Sequence, residues 1–324
     1  MNINEMNNKD NSYEQKKYDV VILATKKDLG LLKLTVPYVL TNLNPKKIYV
    51  VASEEIQNDV ELIPGVVYYN ESSVYQDLSY QRVENIIFRI SGERKRAGWY
   101  LQQFIKLAWA YVTDDEEYVV IDSDTFPLNP INFYSKDGKY LFTEKVEFNK
   151  PYFDTITNLF GEKIKSFAGF SFVAEHMMFN KKYVLEMLGY IIENEALRGN
   201  NFFEKILYAV DPNEILHSGF SEFETYGNFM LTFHADEIRM RKLRTLREAV
   251  FVLGSTPSQM QLQWAAKDYD IISIELPNYK KTLLTRLTSS KLGTTIPLKV
   301  VANTRKKIRT IYRYILRKNN RVYD

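Results

Sequence analysis

Two aspartates stand one residue apart at Asp122-Ser123-Asp124, directly after the apolar run Val119-Val120-Ile121. On a loop where a buried strand ends, both carboxylates can face one cation. Hard divalent ions take oxygen ligands and keep positions open for phosphate oxygens. Such an ion offsets the charge that develops on a departing diphosphate. Asp122 and Asp124 are therefore the expected ligands of Mn2+ or Mg2+, with Ser123 between them. A polar turn whose Asp side chains cap backbone amides gives the same letters.

Further along the chain, Ser221 can cap a helix, and Glu224 occupies the reciprocal position of a capping box. Glu222 has no such duty. A carboxylate beside a nucleophilic hydroxyl can take its proton, so Glu222 is the first candidate for a catalytic base and Glu224 the second. His234 can complete a metal site built on two carboxylates, or lie on the surface. In Glu175-His176-Met177-Met178-Phe179, His176 stands before an apolar strand. There it can bond a ligand or serve as a satisfied structural histidine.

These residues need a scaffold. Asp19 to Thr25, Lys47 to Ala52, Val66 to Tyr69 and Glu117 to Ile121 read as short buried strands, and Leu29 to Leu43 as a helix between the first two. Strand, helix and strand with short links is the signature of a parallel sheet, hence an α/β fold. Ligands of open α/β sheets sit at the carboxyl ends of strands. The first strand's exit, Ala24-Thr25-Lys26 with Asp28 in the loop that follows, should frame a nucleotide's base and ribose together with Ser53 after the second. Gly98 to Val112 reads as a helix, with Phe104, Leu107, Ala108 and Tyr111 on its core face and Gln103 and Lys106 off it. Ser91 to Arg96 is a charged loop. Beyond Asp124 the strands shorten (Tyr140 to Phe142, Ser171 to Val173, Asp270 to Ile274), and helices are expected around Lys181 to Asn194, Asn201 to Val210 and Ser221 to Phe233.

The chain has 324 residues and no cysteine, so thiolate chemistry and disulfides are excluded. Residues 1–17 are polar, lack the apolar core of a signal peptide, and read as a disordered tail. No apolar run is long enough to span a membrane, and a cytoplasmic location is expected. The net charge of +3 hides an asymmetry. Residues 280–324 carry thirteen basic residues and one acidic, leaving −9 on the remainder. A basic helix over Thr304 to Lys318, with Ile308, Ile311, Tyr312 and Ile315 on one face, fits either contact with the anionic inner face of the cell membrane or packing on the body. An acidic body disfavours nucleic acid.

Taken together, Gly98 to Leu107, Val120-Ile121-Asp122-Ser123-Asp124, His176-Met177-Met178-Phe179 and Ser221 to Asn228 resemble bacterial glycosyltransferases of the GT-A fold. More closely, they resemble a poorly characterised family from capsule and lipopolysaccharide gene clusters. The resemblance covers roughly residues 18–275. It implies a Rossmann-like nucleotide-sugar half (18–128) with a mixed central sheet, fused to an acceptor half (129–279), with a basic helical tail (280–324) outside it. It implies a UDP-sugar or similar donor, a glycan or glycolipid acceptor, metal and diphosphate at Asp122 and Asp124, and a donor site bordered by the helix of Gln103 and Lys106. Two other readings remain. Asp122-Ser123-Asp124-Thr125 also resembles the opening motif of haloacid-dehalogenase-like phosphohydrolases, with Asp122 as nucleophile; a non-catalytic nucleotide-binding module is the other.

Overall fold

Alternating strands and helices build the first part of the chain: β1 (Asp19–Leu23), α1 (Leu29–Leu43), β2 (Ile48–Ala52), α2 (Gln57–Glu61), β3 (Val67–Asn70), α3 (Tyr80–Ser91), α4 (Ala97–Ala108) and β4 (Glu117–Ile121). The rest comprises β5 (Thr125–Pro127), β6 (Tyr140–Thr143), α5 (Lys150–Phe160), β7 (His176–Asn180), α6 (Lys181–Glu193), α7 (Phe202–Ala209), α8 (Glu222–Phe233), β8 (Ile238–Arg241), β9 (Thr245–Leu246), α9 (Val250–Leu253), α10 (Gln259–Ala266), β10 (Ile271–Ser273), α11 (Leu283–Thr288) and α12 (Leu298–Asn320). The computed structural model describes residues 16–164, 169–275, 282–290 and 293–320.

The central sheet has the order β3-β2-β1-β4-β7. Its first four strands are parallel, and β7 runs antiparallel to β4. The fold is therefore α/β with a mixed central sheet, as expected. Every residue of β1 and β4 is buried, as strands covered on both faces must be. Because β7 runs the other way, it starts where β4 ends: His176 pairs with Ile121, and the Asp122 amide donates to the Glu175 carbonyl over 3.1 Å. The second part of the chain thus completes the sheet begun by the first.

Local chemistry fixes the helices that reach the site. In α3, the Ser79 hydroxyl accepts from the Arg82 amide, and Gly92 at φ +76° ends the helix. The charged loop follows, and α4 opens at Arg96, a non-glycine residue at φ +68°. Phe104, Leu107 and Ala108 are buried as expected. Tyr111, expected on the same face, is half exposed, because the helix gives way to a 3-10 turn at Trp109–Tyr111. The Ser221 hydroxyl caps α8 by accepting from the Glu224 amide over 3.2 Å. The strand expected over Ser171 to Val173 is instead a single bridge from Ser171 to Lys145.

A second, smaller core gathers Phe126, Leu128, Val252, Trp264, Ile272 and Leu298. Leu298 is fully buried there, and Arg305 of α12 lies 3.7 Å above the Phe251 ring. Arg309 Nη1 sits 3.0 Å from Glu248. The first turns of the basic tail therefore pack on the body. Residues 1–15 of the expected N-terminal tail, Lys280, and the side chains of Ile308, Ile311, Tyr312 and Ile315 lie outside the described residues. Lys16, also assigned to that tail, pairs with Glu117 over 2.7 Å. Among the described residues no helix is long and apolar enough to cross a membrane.

Candidate active site

A cleft of about 470 Å³ opens at the carboxyl ends of β1 and β4, within the usual size of small-molecule sites. The helix α4 forms one wall. Trp99, Gln103 and Lys106 follow the i, i+4, i+7 spacing of one helical face, and all three line the cleft.

Lys106 is the central connection. Its ammonium lies 2.7 Å from Asp122 Oδ1 and 2.6 Å from Glu222 Oε1, with the Phe223 ring 4.6 Å away. Burial opposes its charge, but the two carboxylates outweigh burial and hold Lys106 above the usual lysine range. Burial pushes the Glu222 carboxyl up, and Lys106 only partly counters it. Gln103 Oε1 accepts from the Glu222 amide over 3.2 Å, which fixes the first residue of α8 against α4.

Asp124 lines the same space, and among the described residues no cation forms an ion pair with it. Its carboxylate accepts from the Thr125 hydroxyl over 3.3 Å. Burial, and then the charges of Asp122, Glu275 and Asp28, push its carboxyl up to about 7. A carboxylate short of positive charge next to a second carboxylate fits a hard divalent ion. No group of three acidic or histidine side chains among the described residues converges to cage an ion. Asp122 and Asp124 would hold Mn2+ or Mg2+ by two carboxylates, leaving the other positions to phosphate oxygens and water, as suits Mg2+.

Of the expected residues, Asp28, Gln103, Lys106, Asp122, Ser123, Asp124 and Glu222 line this cleft. Asp28 also closes the β1 exit, accepting from the amide and hydroxyl of Thr25, both at 2.7 Å. Ala24, Thr25, Lys26 and Ser53 are not in the lining, and Lys26 pairs with Glu55 on the surface.

Three expectations are corrected. Glu224 is not available as a base: its carboxylate accepts from the Ser171 hydroxyl (2.5 Å), the Phe172 amide (3.1 Å) and Asn228 Nδ2 (3.0 Å). It anchors the 171–172 segment to α8. His176 is a core residue, fully covered, with Nε2 3.2 Å from the Thr143 hydroxyl. Burial and nearby Arg241 and Lys145 hold it well below the usual histidine range, so it stays neutral. His234 caps the far end of α8, roughly 18 Å from Glu222 by helical rise. There it pairs with Glu186 at 3.0 Å and packs on Tyr183, so it cannot join Asp122 and Asp124.

Several lining residues carried no functional role in the sequence reading. Glu175, at φ +54°, is buried with Lys145 and Arg247 each 3.3 Å away. Arg247 also pairs with Glu275, just after β10, and with Glu147. Arg96, Trp99 and Tyr152 lie in the same wall. Trp99 could have been found from its helical register with Gln103 and Lys106. Arg247 and Glu275 have no such local signal, since only the return of the chain brings them in.

The chain belongs to the family of unknown function DUF6492, whose model matches residues 42–249. That span holds Arg96, Lys106, Asp122, Asp124, Glu222 and Arg247. No curated protein matches the chain by sequence. Among solved structures it is similar to mouse xyloside xylosyltransferase 1, at 10% identity over 80% of this chain and 97% of that one, with a TM-score of 0.42. It is also similar to galactosyltransferase LgtC bound to donor and acceptor sugar analogs, at 10% identity, 79% and 86% coverage and a TM-score of 0.40. A third is the bifunctional glycosyltransferase WbbM, at 12% identity, 79% and 45% coverage and a TM-score of 0.39.

Proposed function

We propose that this chain is a metal-dependent glycosyltransferase that moves a sugar from a nucleotide-sugar, best a UDP-sugar, to a hydroxyl of a surface glycan. The acceptor would be a capsule or lipopolysaccharide precursor in the cytoplasm. The observation that carries this reading is the placement of Asp122 and Asp124. They sit at the carboxyl end of a central parallel strand, in a cleft where, among the described residues, no cation pairs with Asp124 and Lys106 ties Asp122 to Glu222.

In this reading Asp122 and Asp124 hold Mn2+ or Mg2+, and Ser123 and Asp28 border the diphosphate. The exits of β1 and β2, Ala24 to Lys26 and Ser53, would receive the base and ribose where the nucleotide extends beyond the cleft lining. The bound metal supplies positive charge to the leaving diphosphate. Glu222 takes the proton of the acceptor hydroxyl as its oxygen bonds to the anomeric carbon. The bond from that carbon to the diphosphate oxygen breaks, and the electron pair leaves with the diphosphate. A single displacement of this kind inverts the configuration. Lys106 offsets part of the burial that pushes the Glu222 carboxyl up, and so favours its ionised, accepting form.

The phosphohydrolase reading fits the geometry less well. It calls for a later acidic pair behind another strand; here the strand beside β4 is antiparallel and brings Glu175, already engaged with Lys145 and Arg247.

Calorimetry with nucleoside diphosphates and their sugars tests the proposal. Binding should require Mn2+ or Mg2+ and should be lost in Asp122→Ala and Asp124→Asn. If the unaltered chain binds none of them with metal present, or if the two variants bind equally well, the proposal fails.

A further inference from the structure

The cleft is lined by six carboxylates and three cations, and the cations are not alike. Lys106 is held by Asp122 and Glu222. Arg247 is held by Glu175 and Glu275. Arg96 donates from Nε to the His217 carbonyl over 2.9 Å, and its guanidinium carbon stands 4.2 Å above the Trp99 ring. Among the described residues it pairs with no carboxylate.

Arg96 is also remote from the metal end. It precedes α4, whereas Lys106 lies near the other end of that helix beside Asp122. The rise of an α-helix separates the two along the axis by roughly 15 Å. A diphosphate held at Asp122 and Asp124 does not need Arg96. The residue sits in the left-handed region at φ +68°, where glycine would rest without strain. Backbone strain of this kind gathers at functional sites. The amino end of α4 adds a partial positive charge at the same place. Beside it, the half-buried Trp99 and Tyr152 give the cleft wall an aromatic face with a polar edge, a surface suited to ligands that are part apolar and part polar.

We propose that Arg96 and Trp99 form the acceptor subsite, and that the acceptor is anionic. Trp99, covered by the guanidinium on one face, and the neighbouring Tyr152 give a sugar ring its apolar wall, while the free edge of the Arg96 guanidinium takes a carboxylate or phosphate on the same acceptor. Arg presents the paired donors that such planar anions accept. The inference rests on the glycosyl-transfer reading and names its acceptor class.

Tryptophan emission reports on this subsite directly. The chain has three tryptophans, and the other two, Trp109 and Trp264, are buried in the two cores. The full-length chain with Mn2+ and a nucleoside diphosphate is titrated with three probes: a glucuronic-acid-terminated disaccharide, its neutral glucose counterpart, and a hexose 1-phosphate. An anionic probe should change the emission at about tenfold lower concentration than the neutral one, the scale of one charged hydrogen-bond pair. Arg96→Gly suits the left-handed backbone at this position, and far-UV circular dichroism checks that it folds; it should abolish the preference. Trp99→Phe should remove the signal. Metal-dependent nucleotide binding, followed by calorimetry, should be unchanged in both variants.

A preference for the glucuronide assigns an acidic sugar, and a preference for the hexose phosphate assigns a phosphorylated acceptor. Equal response to charged and neutral probes, no response to any of them, or a preference that survives Arg96→Gly overturns the subsite while leaving the transferase reading intact. Failure of the unaltered chain to bind nucleotide with metal removes both.

Discussion

Lys106 Nζ meets Glu222 Oε1 at 2.6 Å, joining residues that lie 116 positions apart in sequence. Both side chains are almost wholly covered, at 8% and 4% exposure. The same ammonium reaches Asp122. Removing one partner of a buried pair leaves a charge with neither water nor counterion. Lys106→Met is therefore expected to destabilise the fold by about 3–5 kcal/mol, read from urea denaturation. Lys106→Met combined with Glu222→Leu should recover much of that loss, because the pair goes together. If the double variant is no more stable than the single one, the two residues are not coupled as described.

Glu222 and Glu224 should separate function from structure. Glu222→Gln is expected to lower the transfer rate by about 100- to 10,000-fold, the usual contribution of a positioned base, with donor binding retained. Glu224→Gln replaces one of two acceptor oxygens, Oε2 serving Ser171 and Phe172 and Oε1 serving Asn228. It should cost about 1–3 kcal/mol of stability and leave the rate of the folded fraction near normal. The reverse pattern in paired rate and denaturation measurements would return Glu224 to the chemistry.

Stability should fall as pH rises past the carboxylate range, and Asp19 is one cause. It opens β1, is 5% exposed, and lies against Asp115. Burial first, then Asp115, push its carboxyl up to about 6. Unfolding returns it to the ordinary value near 3.8, so between these two values the folded chain binds more protons than the unfolded one. Protonated Asp19 carries no penalty below about pH 4; the cost grows up to about pH 6 and then stays level. Asp19→Asn should leave stability at pH 4 nearly unchanged and raise it by about 3 kcal/mol at pH 8. Denaturation curves at the two pH values decide this, and an equal effect at both would exclude Asp19 as the source.

The basic tail begins as part of the body. Leu298→Ala is expected to cost about 2–5 kcal/mol, the range for buried leucines, measured by thermal or chemical unfolding. Liposome flotation then isolates any membrane role: a chain ending after Asn303 keeps Leu298, Val301 and Ala302 but loses most of the basic residues of α12. Reduced flotation on anionic vesicles would support contact through the tail. Equal flotation would leave packing as its role.

How much of this could be read in the letters depends on the range of the interaction. β1, β2, β4 and α1 were legible because a buried parallel strand is a continuous apolar run and a helix repeats every 3.6 residues. The α3 helix carried its own marks in Ser79, Gly92 and the buried Val83, Ile86 and Ile87, but its short amphipathic run was passed over between loops. The choice between Glu222 and Glu224 was open in the sequence. Two residues on a helix lie about 200° apart, so one faces the cleft and the other its opposite wall, and the letters do not say which. Asp122 and Asp124 were legible because a strand end announces itself locally. Arg247, Glu275 and Glu175 were not, because they flank strands of two different sheets and meet only through the return of distant parts of the chain. His234 erred for the same reason: adjacency to an active helix says nothing about which end of it a residue occupies.

The antiparallel entry of β7 has one more consequence. Many two-part enzymes open like jaws around a strip of linker. Here the strand that would belong to the second jaw is stitched to the first through five paired residues, from Ile121 with His176 to Glu117 with Asn180. Glu175 reaches Asp122 as a rigid extension of that seam. Along this seam the floor of the cleft is a single fabric of paired strands. A guest therefore meets a floor already assembled, with Arg96 and Trp99 in the wall at the amino end of α4 and Arg247 clamped between Glu175 and Glu275.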